Sequence, residues 1–98
     1  MTFGEAIDAL KEGERIRRKS WPQDKFLWLK EAMMIKESWC KDPQLKDIVK
    51  RYGESSIIIG GEKTIIGLPT ISIYEKGTVM SGWCANCQDI LAEDWAVF

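Results

Sequence analysis

Turn-forming residues cut this chain into short pieces, and that punctuation limits what it can fold into more than any other feature. Gly13, Trp21-Pro22, Asp42-Pro43, Gly53, Gly60-Gly61-Glu62-Lys63 and Glu75-Lys76-Gly77 recur along its 98 residues, each a place where a helix or strand ends, because glycine accepts left-handed backbone and proline lacks a ladder donor. No apolar run approaches the roughly 18 residues a spanning helix requires. The start, MTFGEAIDALKEG, is acidic where a signal peptide is basic and then apolar. The expectation is a soluble, intracellular chain of one domain, spanning 1–98, that buries roughly 65% of its unfolded surface. An apolar fraction of 45%, a charged fraction of 30% and only three prolines set it apart from disordered and collagen-like chains.

Between the turns the apolar spacing names the elements. Phe3, Ala6, Ile7 and Leu10 lie at i, i+3, i+4 and i+7 and make one helical face, started by a Thr2/Glu5 capping box and ended at Gly13. Glu14-Arg15-Ile16-Arg17-Arg18 alternates as a strand does, and Trp21-Pro22 interrupts it. Phe26-Leu27-Trp28-Leu29 predicts a second strand. Asp42-Pro43 reads as N-cap and first helical position, with Leu45, Ile48, Val49 and Tyr52 as the apolar stripe of a helix that stops before Gly53. Ser56 to Ile59 and Thr64 to Ile66 flank one turn, and Thr70 to Tyr74 and Thr78 to Met80 flank another, so both pairs predict hairpins. Asn86 starts a short helical turn, and Trp95 to Phe98 a terminal strand. The fold class that follows is α+β, a small antiparallel β-sheet with two short helices and a short C-terminal helical turn.

The formal charge of −1, from fourteen basic and fifteen acidic side chains, gives no long-range attraction toward a DNA or RNA polymer. A local anion site stays open, because Arg15, Arg17, Arg18 and Lys19 crowd together. Cys40, Cys84 and Cys87 are an odd set in a chain without histidine, which argues against an ordinary zinc cluster. Cys84-Ala85-Asn86-Cys87 has the CxxC spacing but not the strand-to-helix βαβ setting of a redox motif, so spectator thiols are expected.

Catalysis finds little support. The chain has no histidine general base, no Gly-rich phosphate loop followed by lysine and hydroxyl, and no Gly-x-Ser-x-Gly elbow. Asp89, Glu93 and Asp94 are acidic neighbours at a helical turn, where capping and solvation are the commoner uses of carboxylates. Binding is the better reading. Five tryptophans, Trp21, Trp28, Trp39, Trp83 and Trp95, are a large aromatic inventory, suited to subunit boundaries and to ligand stacking alike. Trp21 fits a stacking surface or a core anchor. Arg17 and Arg18 fit phosphate contact or carboxylate pairing. Asn86 fits a cap better than a base reader, and Asp94 fits a partner for Arg18 or for a backbone donor better than a ligand contact.

The opening MTFGEAIDALKEGERIRRKSW, with the later GW, DILAEDW and terminal strand, resembles a compact phage and bacterial family, formerly a domain of unknown function, that includes the second described Thoeris anti-defence protein. The resemblance covers both ends of the chain; residues 31 to 69 carry much less of it. It implies a sponge that holds cyclic ADP-ribose-type immune signals uncleaved, in the cytoplasm of an infected bacterium, as a small homo-oligomer, typically a homotetramer, with pockets where subunits meet. Some relatives also capture cyclic oligonucleotides. No cofactor, metal or membrane is implied. Carried over by position, the family arginine falls at Arg18 and its first tryptophan at Trp21; the late motif places Trp83, Asn86, Asp89 and the pair Asp94-Trp95. Cys84-Ala85-Asn86 departs from the proline and serine that relatives commonly have, which bears on ligand specificity. The implied mechanism stacks adenine on Trp21 or Trp95, balances pyrophosphate charge with Arg17 or Arg18, and orients ribose or base with Asn86 or Asp94. The alternatives are a host-protein-binding inhibitor or structural oligomer that uses the same tryptophans as anchors, and a nucleotide-cleaving enzyme.

Overall fold

The computed structural model describes residues 1–55 and 61–98. Its elements in chain order are α1 (Phe3–Lys11), β1 (Ile16–Arg18), β2 (Lys25–Lys30), β3 (Met33–Lys36), a 3₁₀ turn (Glu37–Trp39), α2 (Pro43–Tyr52), β4 (Glu54–Ser55), β5 (Lys63–Gly67), β6 (Thr70–Glu75), β7 (Thr78–Ser81), α3 (Cys87–Leu91) and β8 (Trp95–Val97). They form two compact units, Met1–Glu31 with Pro69–Phe98, and Ala32–Leu68. The fold is α+β with antiparallel sheets and short helices.

In the first unit an antiparallel sheet runs in the order β7-β6-β2-β1-β8. The register sets Ile16 opposite both Leu27 and Val97, Leu27 opposite Ile73, and Arg18 opposite Trp95. Since successive side chains point to opposite faces, Ile16, Leu27, Ile73, Trp95 and Arg18 share one face, while Arg17, Phe26, Trp28 and Tyr74 share the other. Helix α1 covers the first face. The Thr2 hydroxyl accepts from the Glu5 amide and the Glu5 carboxylate from the Thr2 amide, so the capping box forms as the spacing predicts. Ala6 and Leu10 are thereby buried against Ile16, Leu27, Ile73 and Trp95, with Phe3, Ile7, Trp21 and Trp83 packed around them. The terminal ammonium of Met1 donates to the carbonyls of Glu93 and Trp95, tying the two chain ends together. Between β6 and β7, Lys76 (φ 48°) and Gly77 (φ 84°) form a two-residue turn with both residues left-handed, the conformation that matches the twist of a tight hairpin.

The second unit holds an antiparallel sheet in the order β3-β5-β4. Asp42 caps α2 by accepting from the Gln44 amide, and Pro43 opens the helix. Val49 is buried, whereas Ile48 and Tyr52 of the same stripe are 44% and 76% exposed. Gly53 ends the helix for a steric reason: a Cβ there would sit 2.4 Å from the Val49 carbonyl oxygen and 2.9 Å from that of Thr64.

One expectation is corrected. The strands make two sheets, not one, because Met33–Lys36 forms a strand that pairs with Lys63–Gly67. Strand β5 is flanked by β3 and by Glu54–Ser55, with Glu54 opposite Thr64, while the predicted strand Ser56 to Ile59 lies outside the described residues. The three cysteines are free, with Cys84 and Cys87 exposed and Cys40 partly buried.

Candidate functional site

Arg18 stands at the centre of the residues the sequence singled out. From the end of β1 its Nε donates to Asp94 Oδ1 at 2.6 Å and its Nη1 to Asp89 Oδ1 at 3.2 Å. The bond to Asp94 raises the guanidinium above its ordinary pKa, and the same bond holds the Asp94 carboxyl below the usual carboxylate range. Asp89 is buried and serves three neighbours at once. Its Oδ2 accepts from the Asn86 amide, its own amide donates to Asn86 Oδ1, and its carbonyl accepts from the Trp95 indole Nε1 at 2.9 Å. Asn86 is therefore the N-cap of α3 in a reciprocal capping box.

Three indoles close the cluster. Trp21 and Trp95 meet edge to face at 5.4 Å between centroids, Trp21 and Trp83 at 6.4 Å, and Trp83 and Trp95 at 6.2 Å, the T-shaped geometry that the ring quadrupole favours. Trp95 is 1% exposed, so its ring is spent on this packing and on Phe3. Trp21 and Trp83 are half-buried at the rim. The Lys25 ammonium lies 4.5 Å from the Trp21 centroid and brings a cation to that rim.

The structure thus gathers Arg18, Trp21, Trp83, Asn86, Asp94 and Trp95 into one cluster, with Asp89 joining its polar members. Arg17 is not among them. It emerges on the opposite face of the sheet, where its guanidinium lies 5.9 Å from the Phe98 ring. There Phe26 stacks between Tyr74 at 5.1 Å and Phe98 at 4.8 Å, with Arg15 5.1 Å above its ring. A groove of about 300 Å³ on this side is lined by Gly13, Arg15, Phe26, Trp28, Leu29 and Tyr74.

The sequence offers Asp89 only as the first acid of the late motif, although Asn86-x-x-Asp89 carries the spacing of the capping box that makes it the hub. The aromatic face lies outside the sequence-predicted site. Its signal is the i, i+2 repeat of Arg15 with Arg17 and of Phe26 with Trp28, which puts two cations and two rings on one side of neighbouring strands.

All 98 residues, 1–98, match the family profile described as Tad2-like, Thoeris anti-defense 2-like domain. Among curated proteins the chain is similar to Thoeris anti-defense 2 of Bacillus phage SP01, at 28% identity over 100 residues that cover 99% of this chain and 93% of that protein.

Proposed function

Because the chain belongs to the Tad2-like family of Thoeris anti-defense 2-like domains, we propose that it counters the Thoeris defence by capturing a cyclic ADP-ribose-type nucleotide and holding it uncleaved. The observation that carries this reading is the joining of the family residues Arg18, Trp21, Trp83, Asn86 and Asp94 into one cluster from opposite ends of the chain. The half-buried rings of Trp21 and Trp83 offer the surface for adenine stacking, and the buried Trp95 holds them in place. Arg18 faces the pyrophosphate with Asp89 and Asp94 fixing its fork, so that its orientation is set before ligand arrives. Arg17, on the other face, meets the same nucleotide only from a second subunit, which suits pockets built between chains of a homotetramer. Holding rather than cleaving is supported by a sequence with no histidine to act as general base. The setting is the cytoplasm of the infected host; no helix among the described residues is long and apolar enough to cross a membrane.

The test mixes purified protein with cyclic ADP-ribose isomers, removes free nucleotide, denatures the protein by heat and identifies what is released by chromatography and mass spectrometry. Recovery of an intact cyclic isomer near one equivalent per site is expected. Cleaved product would move the protein to the hydrolases, and no retained nucleotide on folded protein would favour a host-protein inhibitor.

A further inference from the structure

We propose that the face of the five-stranded sheet opposite α1 carries a second ligand site, for a small planar aromatic monocarboxylate. Helix α1 packs on the opposite face, and Gly13, Arg15, Phe26, Trp28, Leu29 and Tyr74 line a groove on this one. Its volume of about 300 Å³ stands at the lower end of ligand pockets and suits one fused ring system rather than a dinucleotide. Three aromatic side chains form its walls. Phe26 and Tyr74 stack on one another at 5.1 Å and Trp28 stands at 49° to Phe26, so the groove offers a ring edge contacts to that stack and the Trp28 indole as a further aromatic wall.

Charge selects the rest of the ligand. Arg15 is the one cation in the lining, and among the described residues it has no carboxylate partner, whereas Arg18 on the covered face has two. Its guanidinium lies 5.1 Å from the Phe26 ring centroid, and a planar guanidinium fork suits bidentate contact with a carboxylate. One guanidinium neutralises one carboxylate. A phosphate dianion would keep an uncompensated charge against apolar walls, so the carboxylate is the better match.

The experiment is isothermal titration of the full chain with naphthoate, with the isosteric neutral naphthamide, and with adenosine monophosphate. Naphthoate is expected to bind once per chain, about tenfold or more tighter than naphthamide. Arg15→Gln removes that difference, Phe26→Leu weakens both ligands, and Trp21→Ala changes neither. Arg15 is exposed, so its variant retains the fold, which near-ultraviolet circular dichroism verifies. Equal affinity for acid and amide, absence of binding by either, or loss on Trp21→Ala without loss on Arg15→Gln would overturn the proposal. Tighter, Arg15-dependent binding of adenosine monophosphate would overturn it in favour of a phosphoryl site. The outcome is separable from cyclic nucleotide capture, since naphthoate binding depends on Arg15 and Phe26 and not on Trp21, whereas nucleotide capture depends on Trp21.

Discussion

Two arginines adjacent in the chain meet opposite fates. Arg18 turns to the covered face and is fixed by two carboxylates within a cluster of three indoles; Arg17 turns to the open face and lies over a single ring, with no ion pair among the described residues. Alternation along a strand is enough to separate them. On the covered face polar and aromatic groups satisfy one another, so each serves architecture as well as any ligand. On the other face the arginines lie over rings and have no carboxylate partner among the described residues. A residue list drawn from sequence treats these positions alike, but substitutions must not.

The largest contrast is between aromatic residues. Trp95→Ala removes a buried ring and the indole donor to the Asp89 carbonyl, and should lower the unfolding free energy by about 3–5 kcal/mol. Phe98→Ala, at a position 49% exposed on the other side, should cost about 1 kcal/mol. Urea denaturation of the two variants measures both; similar losses would erase the distinction between the faces.

Next in size is the arginine pair itself. Arg18→Ala leaves the buried Asp89 without its cation, and the melting temperature should fall by several degrees, whereas Arg17→Ala should leave it unchanged. A calorimetric scan of each variant decides. If Arg17→Ala proves the more damaging, the open face carries structural load that its contacts do not reveal.

Asn86 sharpens the comparison within the covered face. Asn86→Ala removes the cap of α3 and should cost about 1 kcal/mol, while Asn86→Ser keeps a capping oxygen and should recover most of it. Nucleotide capture by the two variants then separates cap from contact. Capture that follows stability assigns Asn86 to the cap alone, and capture lost in the stable Ser variant assigns it a ligand contact.

What could be read in advance was local. The Thr2/Glu5 and Asn86/Asp89 boxes, the Asp42-Pro43 helix start and the Lys76-Gly77 turn each reside within four residues, and the structure forms every one. The second sheet was not legible. Met33-Met34-Ile35-Lys36 has no polar–apolar alternation, and its partner Lys63–Gly67 lies about thirty residues on. Within the candidate site, the pairing of Arg18 with Asp94 was one of two open readings of those residues, and only folding across 76 positions decides it. Which face each tryptophan takes depended on register, a non-local property that residue spacing does not encode.

The smallest expected effect is the dependence of the Arg18–Asp94 contact on acid. The Asp94 carboxyl is held below its ordinary range by its hydrogen bond to Arg18. A depressed carboxylate contributes stability that is complete above the unfolded value, about 3.9 for aspartate, and is lost as pH falls through the lowered folded value. Glu5, lowered by the Thr2 amide, follows the same sign, so the acid slope of the intact protein does not isolate Asp94. The difference between wild type and Asp94→Asn does. That difference should be constant from neutral pH to about 5 and shrink below about 4, while the Arg17→Ala curve runs parallel to wild type throughout because Arg17 has no carboxylate partner among the described residues. A pH-independent Asp94→Asn difference would show that the contact contributes through packing rather than charge, and the covered face would then resemble the open one in the respect that most separates them.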